Sequence, residues 1–545
     1  MLMKSFLLAV SAIALLASGA ASAKPDSDEF TYEGGPLRDF NDTNGAGGNA
    51  FLGGGNGPLA GPAVGGASIV RSFEGINQYD IIGIGRNFLP PDTMGAVGLN
   101  QYVAMVNGAV AVYSKTGTRL TFGSDDLFWK AAGTSGFGSD PRVQYDKQYG
   151  RWIATVINND FTKINVAVSA TSDATGVWRG ATFTGFFGTN GNGIADYPTL
   201  AADRNAVYIG TNNFTASFQG TTLNVLNKAD VFNAAGPIVT SLKQFTTPYT
   251  GGPTDVDGGF ALQGVNSNSN STTGKVIGAS LSDYGLAVAS VTNPGTAGAT
   301  ESPFLILQDN YTGNNRGRQP NGGLGSRIVD TSGDRTSSSI VEVNGKIYAT
   351  QTVTQVGTAA TVIRITVLDA ATNAVLSRTD IADPNYDFYY GSLSVNSVGQ
   401  VVVGYNRSGY STIDGKIRIY ARTFNTLADG SLQFRNEFLI KESVTDHYQT
   451  GGTESQGPSG RQRFGDYSSV TLDPTNDRSF WVIGEYAREF NQFAAPGAGR
   501  SRYSTQIAEI NVGNIPEPAE WVLMIAGFGF VGAVQRRRRV GYMTA

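Results

Sequence analysis

Three observations in the sequence predict an all-β fold. Gly is 71 of 545 residues and Pro 20, with Asn, Ser and Thr abundant, which suits many turns and short strands rather than long helices. A hairpin pattern recurs seven times from about residue 90 onward. Each hairpin is followed by a third strand in which apolar and polar residues alternate.

The unit is plainest in "DYPTLAADRNAVYIGTNNF", from Asp196. A short alternating strand meets a turn, then a second strand rich in Val, Tyr and Ile. Counterparts start at Asp92, Asp140, Asp257, Asp334, Asp387 and Gly465, the last followed by Asp466. The third strands start at 109, 164, 222, 286, 361, 416 and 505, spaced 55 to 89 residues apart. Propeller blades of known repeats run about 40 to 50 residues, so these units carry insertions. The second strands are apolar on both faces, which suits small sheets stacked on each other. A radial stack protects sheet edges. The pattern therefore predicts a seven-bladed β-propeller in residues 72–514, with blades from about 90. A pair of packed sheets is the alternative.

The chain ends read differently. "MLMKSFLLAVSAIALLASGAASA" has one early charge, Lys4, then an apolar stretch closing on Ala-Ser-Ala. This is the anatomy of a secretory signal peptide, residues 1–23, cleaved after Ala23. Residues 24–71 read as a Gly-rich linker, largely disordered, with "NGAGGNAFLGGGNGPLAGPAVGG" at 44–66. The sequence contains no cysteine, so an exported domain must hold together by its core alone. Without Lys4, the four terminal arginines, Glu517 and Glu520, the chain keeps 35 basic and 42 acidic residues, a net of −7. That balance argues against a nucleic-acid partner.

Near the C-terminus, "IPEPAEWVLMIAGFGFVGAVQRRRR" joins a Pro-bounded acid, an uncharged run from Trp521 to Gln535 and four arginines. The run, a transmembrane helix over about 519–535, is short beside the roughly 20 residues a spanning helix needs. The arginines resist crossing, which leaves the body outside the inner membrane. The segment 515–545 resembles the PEP-CTERM sorting signal in its Trp-containing variant. Pro516, Glu517, Pro518 and Trp521 match the motif, and Arg536, Arg537, Arg538 and Arg539 match the basic cluster. The chain departs from the pattern in continuing past the arginines as "VGYMTA". The resemblance implies processing by exosortase, a transient stay in the inner membrane of a Gram-negative bacterium, and delivery to the cell surface or an exopolysaccharide matrix.

The body has its own resemblance. "PPDTMGAVG", "DPRVQYDKQYGRW", "VAVSATSDATGVW" and "GDYSSVTLDPTNDRSFWVIGEYA" are similar to segments of bacterial exported propellers described as sialidase-like. Within "SATSDATGVW", Asp173, Gly176 and Trp178 match an Asp-box, although the Asp-to-Gly spacing is one residue too long and Val177 replaces Thr. That box is a structural turn. Sialidase chemistry would need three arginines on the substrate carboxylate, a Tyr nucleophile with a Glu, and an Asp acid. Arg142, Arg335 and Arg463 sit near inner-strand starts in three blades. Glu485 and Tyr486 are adjacent, but neighbours on a strand point to opposite faces. No catalytic set is identified from spacing.

Other chemistry is restricted. His447 is the only histidine, so clustered His/Cys zinc sites are excluded and any His-containing catalytic triad must use it. No P-loop is present. Asp92, Asp140, Asp196, Asp257, Asp334, Asp387 and Asp466 recur at one phase. They read either as turn-stabilising carboxylates or as a ring around one mouth of the axial channel, which could hold Ca²⁺. Phe388, Tyr389, Tyr390, Phe186 and Phe187 are candidate sugar-stacking residues at loop tips. The expectation is a non-catalytic, exported propeller that binds glycan or exopolysaccharide. A sialidase-like glycoside hydrolase and an adhesin for protein partners are the alternatives. Convergence of acids and arginines in one axial group would favour the hydrolase.

Overall fold

A computed structural model describes residues 66–513, apart from 135, 160, 186–192, 253–254, 282–283, 313–316, 321–327, 359, 447, 450–461 and 491–500. The signal peptide, the linker up to residue 65 and the sorting segment lie outside the described residues, as do His447, Phe186 and Phe187.

The protein is all-β, and its repeats fold as seven four-layered antiparallel blades, of which the fourth and fifth join into one sheet; a separate two-stranded pair, Gly317–Arg318 with Ile328–Val329, lies in the insertion between those two. Blade one comprises Met94–Val97, Gln101–Val106, Ala109–Ser114 and Arg119–Ser124. Blade two comprises Gly138–Asp146, Arg151–Asn158, Lys163–Ser169 and Trp178–Thr184. In blade three the inner strand is split into Ile194–Asp196 and Ala201–Ala202, followed by Ala206–Phe214, Phe218–Asn227 and Lys243–Pro248. Blade four runs from Phe260–Ser267 to an outer strand split into Thr300–Glu301 and Leu305–Gln308. Blade five spans Ile340–Val343 to Val375–Ile381, and blade six Tyr386–Val395 to Leu432–Glu442. A short parallel pairing, Val265 opposite Ile340, also links the inner strands of blades four and five. The seven repeats seen in the sequence supply the first three strands of every blade.

Blade seven closes the ring. Its first three strands are Ser469–Leu472, Ser479–Phe490 and Ser501–Asn511, but its outer strand is Ser68–Asn77 from the start of the domain. The two ends of the domain pair antiparallel, Ser68 opposite Asn511 and Phe73 opposite Ile507. This corrects the expected boundary at 72. Residues 68–71 belong to the propeller, because a closing strand needs the full length of its neighbour to satisfy the edge.

The core explains the radial order. Along the second strand of blade six, Val401 and Val403 pack toward blade five with Ile363 and Ile365, whereas Val402 packs toward blade seven with Val482 and Ile510. Similar seams join blade one to two, two to three, three to four and four to five. The last seam sets Trp481 and Ile507 of blade seven against Tyr102 and Ala111 of blade one. Alternate residues thus serve opposite seams, which is why the second strands are apolar on both faces. Each fully buried Val or Ile contributes roughly 1.5–3 kcal/mol by removal from water.

In every blade the inner strand runs from one face of the disc, here the upper face, to the lower. Asn511 ends a third strand and Ser68 begins an outer one, so both ends of the domain meet at the lower face.

Candidate functional site

The upper ends of the inner strands share a local distortion. Asp92, Asp140, Tyr197, Ala261 and Tyr390 all have φ between 50° and 60°, in the left-handed region that non-glycine residues seldom adopt. The pairing of inner and second strands slips at this level, between Ser139 and Arg142, between Phe260 and Gln263, and between Tyr389 and Ser392. Such bulges re-aim side chains, and strained backbone of this kind concentrates at functional sites.

The three arginines expected near inner-strand starts meet here. Arg142 is 3% exposed. Its Nε donates to Pro198 O at 2.9 Å and Nη1 to Ser337 O at 3.3 Å, reaching from blade two to blades three and five. Its guanidinium lies 3.6 Å from the ring centroid of Tyr467 and 5.1 Å from that of Tyr197. Nη2 has no hydrogen-bond partner among the described residues. Arg463 is ion-paired twice, to Asp330 at 2.8 Å and to Asp466 at 2.7 Å. Arg335 is half-buried and keeps its head group between rings, 4.7 Å from Tyr197 and 5.5 Å from Phe260. Its Nε donates to Ser332 O, and among the described residues no carboxylate lies within ion-pair distance of it.

Acids interleave with these cations. Asn107 clamps two of them: its Nδ2 donates to Asp92 Oδ2 at 2.6 Å, and its Oδ1 accepts from the Asp140 amide at 2.9 Å. The Tyr197 amide donates to Asp140 Oδ2 at 3.2 Å, which places Asp196 beside Asp140. Burial, and next the charge of Asp140, push the Asp196 carboxyl up to about 8, against the pull of Arg335. Burial, then Asp466 and Asp140, hold Asp92 well above the usual carboxylate range. Glu485 is fully buried, and burial raises its carboxyl well above the usual range. The Thr93 hydroxyl is its polar neighbour, yet neither group completes a hydrogen bond.

The seven recurrent aspartates divide. Asp92, Asp140, Asp196 and Asp466 join the axial group. The other three serve blade loops on the same face. Asp257 accepts from Ser280 Oγ at 2.7 Å and from the Leu281 amide. Asp334 accepts from Tyr311 Oη at 3.0 Å. Asp387 is fully buried, paired bidentately with Arg318 and capped by the Thr361 amide. Among the described residues no three carboxylate or imidazole side chains are grouped to hold a metal ion.

The aromatic expectation needs correction. Phe388, Tyr389 and Tyr390 are each 0% exposed and fill core seams, because the strand carrying them is an inner one walled by its neighbours. Exposed rings lie elsewhere on the upper face, at Tyr249 and Phe260, both half-buried. Glu485 and Tyr486 do point apart: Glu485 faces the axial group, while Tyr486 Oη donates to Glu74 at 3.1 Å on the outer side. Asp173 forms a turn, accepting from the Thr175 amide and hydroxyl at 2.9 and 2.7 Å and from Gln101 at 2.7 Å. Sequence reasoning passed over Tyr197, Tyr467, Phe260, Asn107 and Asp330. Two of these were marked, since Asp196-Tyr197 and Asp466-Tyr467 are the same dipeptide at the same phase of the repeat.

Among the described residues no helix is long and apolar enough to cross a membrane. No family model matches the chain, and no curated protein matches it. Solved structures give distant likenesses. A protein of unknown function from Dyadobacter fermentans is 10% identical with a TM-score of 0.38, over 82% of this chain and 100% of its own. Drosophila Semaphorin 1b, extracellular domains 1-2, is 10% identical with a TM-score of 0.35, over 82% and 87%. The α-L-arabinofuranosidase Arb93A from Fusarium graminearum is 10% identical with a TM-score of 0.35, over 66% and 89%. At these values the likenesses carry no argument, and the propeller assignment rests on the closed succession of seven blades.

Proposed function

We propose that this chain is an exported β-propeller protein that binds carbohydrate at the upper mouth of its axis, and that its last residues are a sorting signal read by exosortase. One observation carries the binding reading. Arg335 sits half-buried at the mouth, backed by the buried ring of Tyr197 and beside the half-buried ring of Phe260, with no ion-pair partner among the described residues and with Asp196 nearby. Aromatic faces beside a few fixed polar groups are what a sugar ring, apolar on its faces and polar at its edges, requires. The export reading is supported by residues 1–23 and 515–539 of the sequence. Purified protein should co-sediment with the exopolysaccharide of its native host, and Arg335→Ala should weaken this. Equal retention of the variant would remove the mouth from the reading.

A second reading is a glycoside hydrolase, favoured by the convergence of acids and arginines in one axial group. Asp196, holding its proton to about pH 8, has the state a general acid requires. Against it, Glu485 and Asp92 lie in buried positions, and Arg463 is committed to two internal ion pairs. Reducing-end release that disappears in Asp196→Asn would promote the enzyme.

A further inference from the structure

The segment that leads into blade five is tied to the start of blade seven by a closed circuit of hydrogen bonds. Ser332 N donates to Asp330 Oδ1 at 3.0 Å. Asp330 Oδ2 accepts from Arg463 Nη1 at 2.8 Å, and Arg463 Nη2 donates to Asp466 Oδ2 at 2.7 Å. The Ser332 hydroxyl closes the circuit, sharing its proton between Asp466 Oδ1 and Gly465 O, the latter at 3.0 Å. The main chain is fastened at the same place. Asp330 N donates to Gln462 O at 2.8 Å, and Asp330 O accepts from Tyr390 Oη of blade six. Ser332, Arg463 and Asp466 are all buried. What the circuit holds is a strained turn: Ser332 has φ 61° and Gly333 φ 76°. A serine keeps that left-handed conformation only where its surroundings over-determine it. The Ser332 carbonyl points out of the circuit and accepts from Arg335 Nε. This is the one hydrogen bond that Arg335 makes among the described residues, so its Nη1 and Nη2 keep their protons for a ligand.

We infer that Asp330, Ser332, Arg463 and Asp466 are positioning residues of the mouth, which fix the carbonyl that aims Arg335. The inference rests on the carbohydrate reading above and adds the device that sets its central cation. An arginine head group already held at one nitrogen has less freedom to lose when a ligand binds. Freed from the circuit, Ser332 relaxes to negative φ, turns its carbonyl away and releases Arg335. Arg463, which the sequence places among three arginines for a substrate, acts on the ligand through Arg335 instead.

The test titrates the full chain with the exopolysaccharide of its native host by calorimetry. Ser332→Ala should weaken binding about fivefold or more, the share of one net hydrogen bond. In an Arg335→Ala background the same change should cost nothing further. Val402→Ala, which opens a cavity in the seam between blades six and seven, should lower the melting temperature yet keep wild-type affinity. If Ser332→Ala does not fold, Asp330→Asn breaks the circuit with little change of shape and should give the same coupled loss. Wild-type affinity in these circuit variants, or a loss that simply adds to that of Arg335→Ala, overturns the positioning role while leaving the mouth in place. Wild-type affinity in Arg335→Ala itself overturns the mouth as the binding site, and this inference with it.

Discussion

Arg142 lies flat against Tyr467, its guanidinium carbon 3.6 Å from the ring centroid. The pair joins blade two to blade seven, and the same arginine donates to carbonyls of the loop entering blade three and of blade five. A residue that looked like a substrate-gripping arginine is a cross-brace over the axis. Arg142→Ala should destabilise the protein by about 3 kcal/mol or more, from two charge-assisted hydrogen bonds at about 1.5 kcal/mol each before any stacking is counted. Arg142→Lys should recover little, because an ammonium cannot lie flat on the ring and reach both carbonyls. Chemical denaturation measures both. A wild-type midpoint for either variant would show that the brace is dispensable.

Buried acids, Asp196 and Glu485 among them, shape the response to pH. Asp196 and Glu485 hold their protons more tightly in the native state than in the unfolded chain, mainly through burial. Between the unfolded value, about 4, and the folded value, about 8 for Asp196, the native state carries a proton that the unfolded state has lost. Stability therefore falls as pH rises through that window and levels off above it, with a slope of up to about 1.4 kcal/mol per pH unit for each such proton. Asp196→Asn should remove its share of the slope, so the variant gains on wild type from pH 4 to pH 8. Glu485→Gln should act in the same direction from about pH 4 upward. Parallel wild-type and variant curves would contradict the assignment.

Gly465 has no room for a side chain. A Cβ at this position would sit 1.7 Å from Glu485 Oε1 and 2.6 Å from its carboxyl carbon. Gly465→Ala should thus destabilise by about 1–3 kcal/mol through overpacking. Glu485→Gln fills the same space and should not relieve it, whereas Glu485→Ala should. Equal penalties for Gly465→Ala in the wild-type and Glu485→Ala backgrounds, read from a double-mutant cycle, would dissociate the two positions.

What the sequence disclosed follows from periodicity. Inner, second and third strands were legible because they are apolar on a period of two. Six of the seven outer strands were not, since strands such as Leu432–Glu442 face water and carry Gln433, Arg435, Glu437 and Lys441. The closing strand Ser68–Asn77 was hidden for another reason: its partner lies more than 400 residues away. The phase of the aspartates was legible too, but not their destinations. Asp92 and Asp387 occupy the same repeat position, yet one meets Asn107 and the other an arginine from the insertion between blades four and five. Insertions break repeat symmetry, and the sequence does not say where they fold back.

Ring closure by the N-terminal strand is open to truncation. Deleting residues up to Asn77 leaves Ser501–Asn511 as an open edge and strips Ile76 and Phe73 from the seam of Trp481 and Tyr113. The truncated chain should aggregate or melt at markedly lower temperature, because an exposed edge of eleven residues is a pairing template. A shorter deletion, up to residue 65, should leave melting unchanged, since the described closing strand begins at Ser68. Full stability after the longer deletion would mean that blade seven is complete without its fourth strand.

Asn511 ends the third strand of blade seven at the lower face, opposite the axial mouth. The uncharged run after Trp521 can hold the chain in the inner membrane, and Arg536 to Arg539 resist transfer at about 2.5–3.5 kcal/mol each. On the proposed sorting reading, export stalls there, with Pro516-Glu517-Pro518 at the outer interface. Two prolines discourage helix at that point and favour an extended, accessible site. The mature protein should therefore lack everything past the motif and reach the surface or matrix. Replacing residues 516–518 with alanines should leave a longer form in the inner membrane. Mass spectrometry of the C-terminus of surface material from the native host decides the matter: a terminus near the motif supports removal, and intact peptides extending through Arg536 would make the tail a permanent anchor.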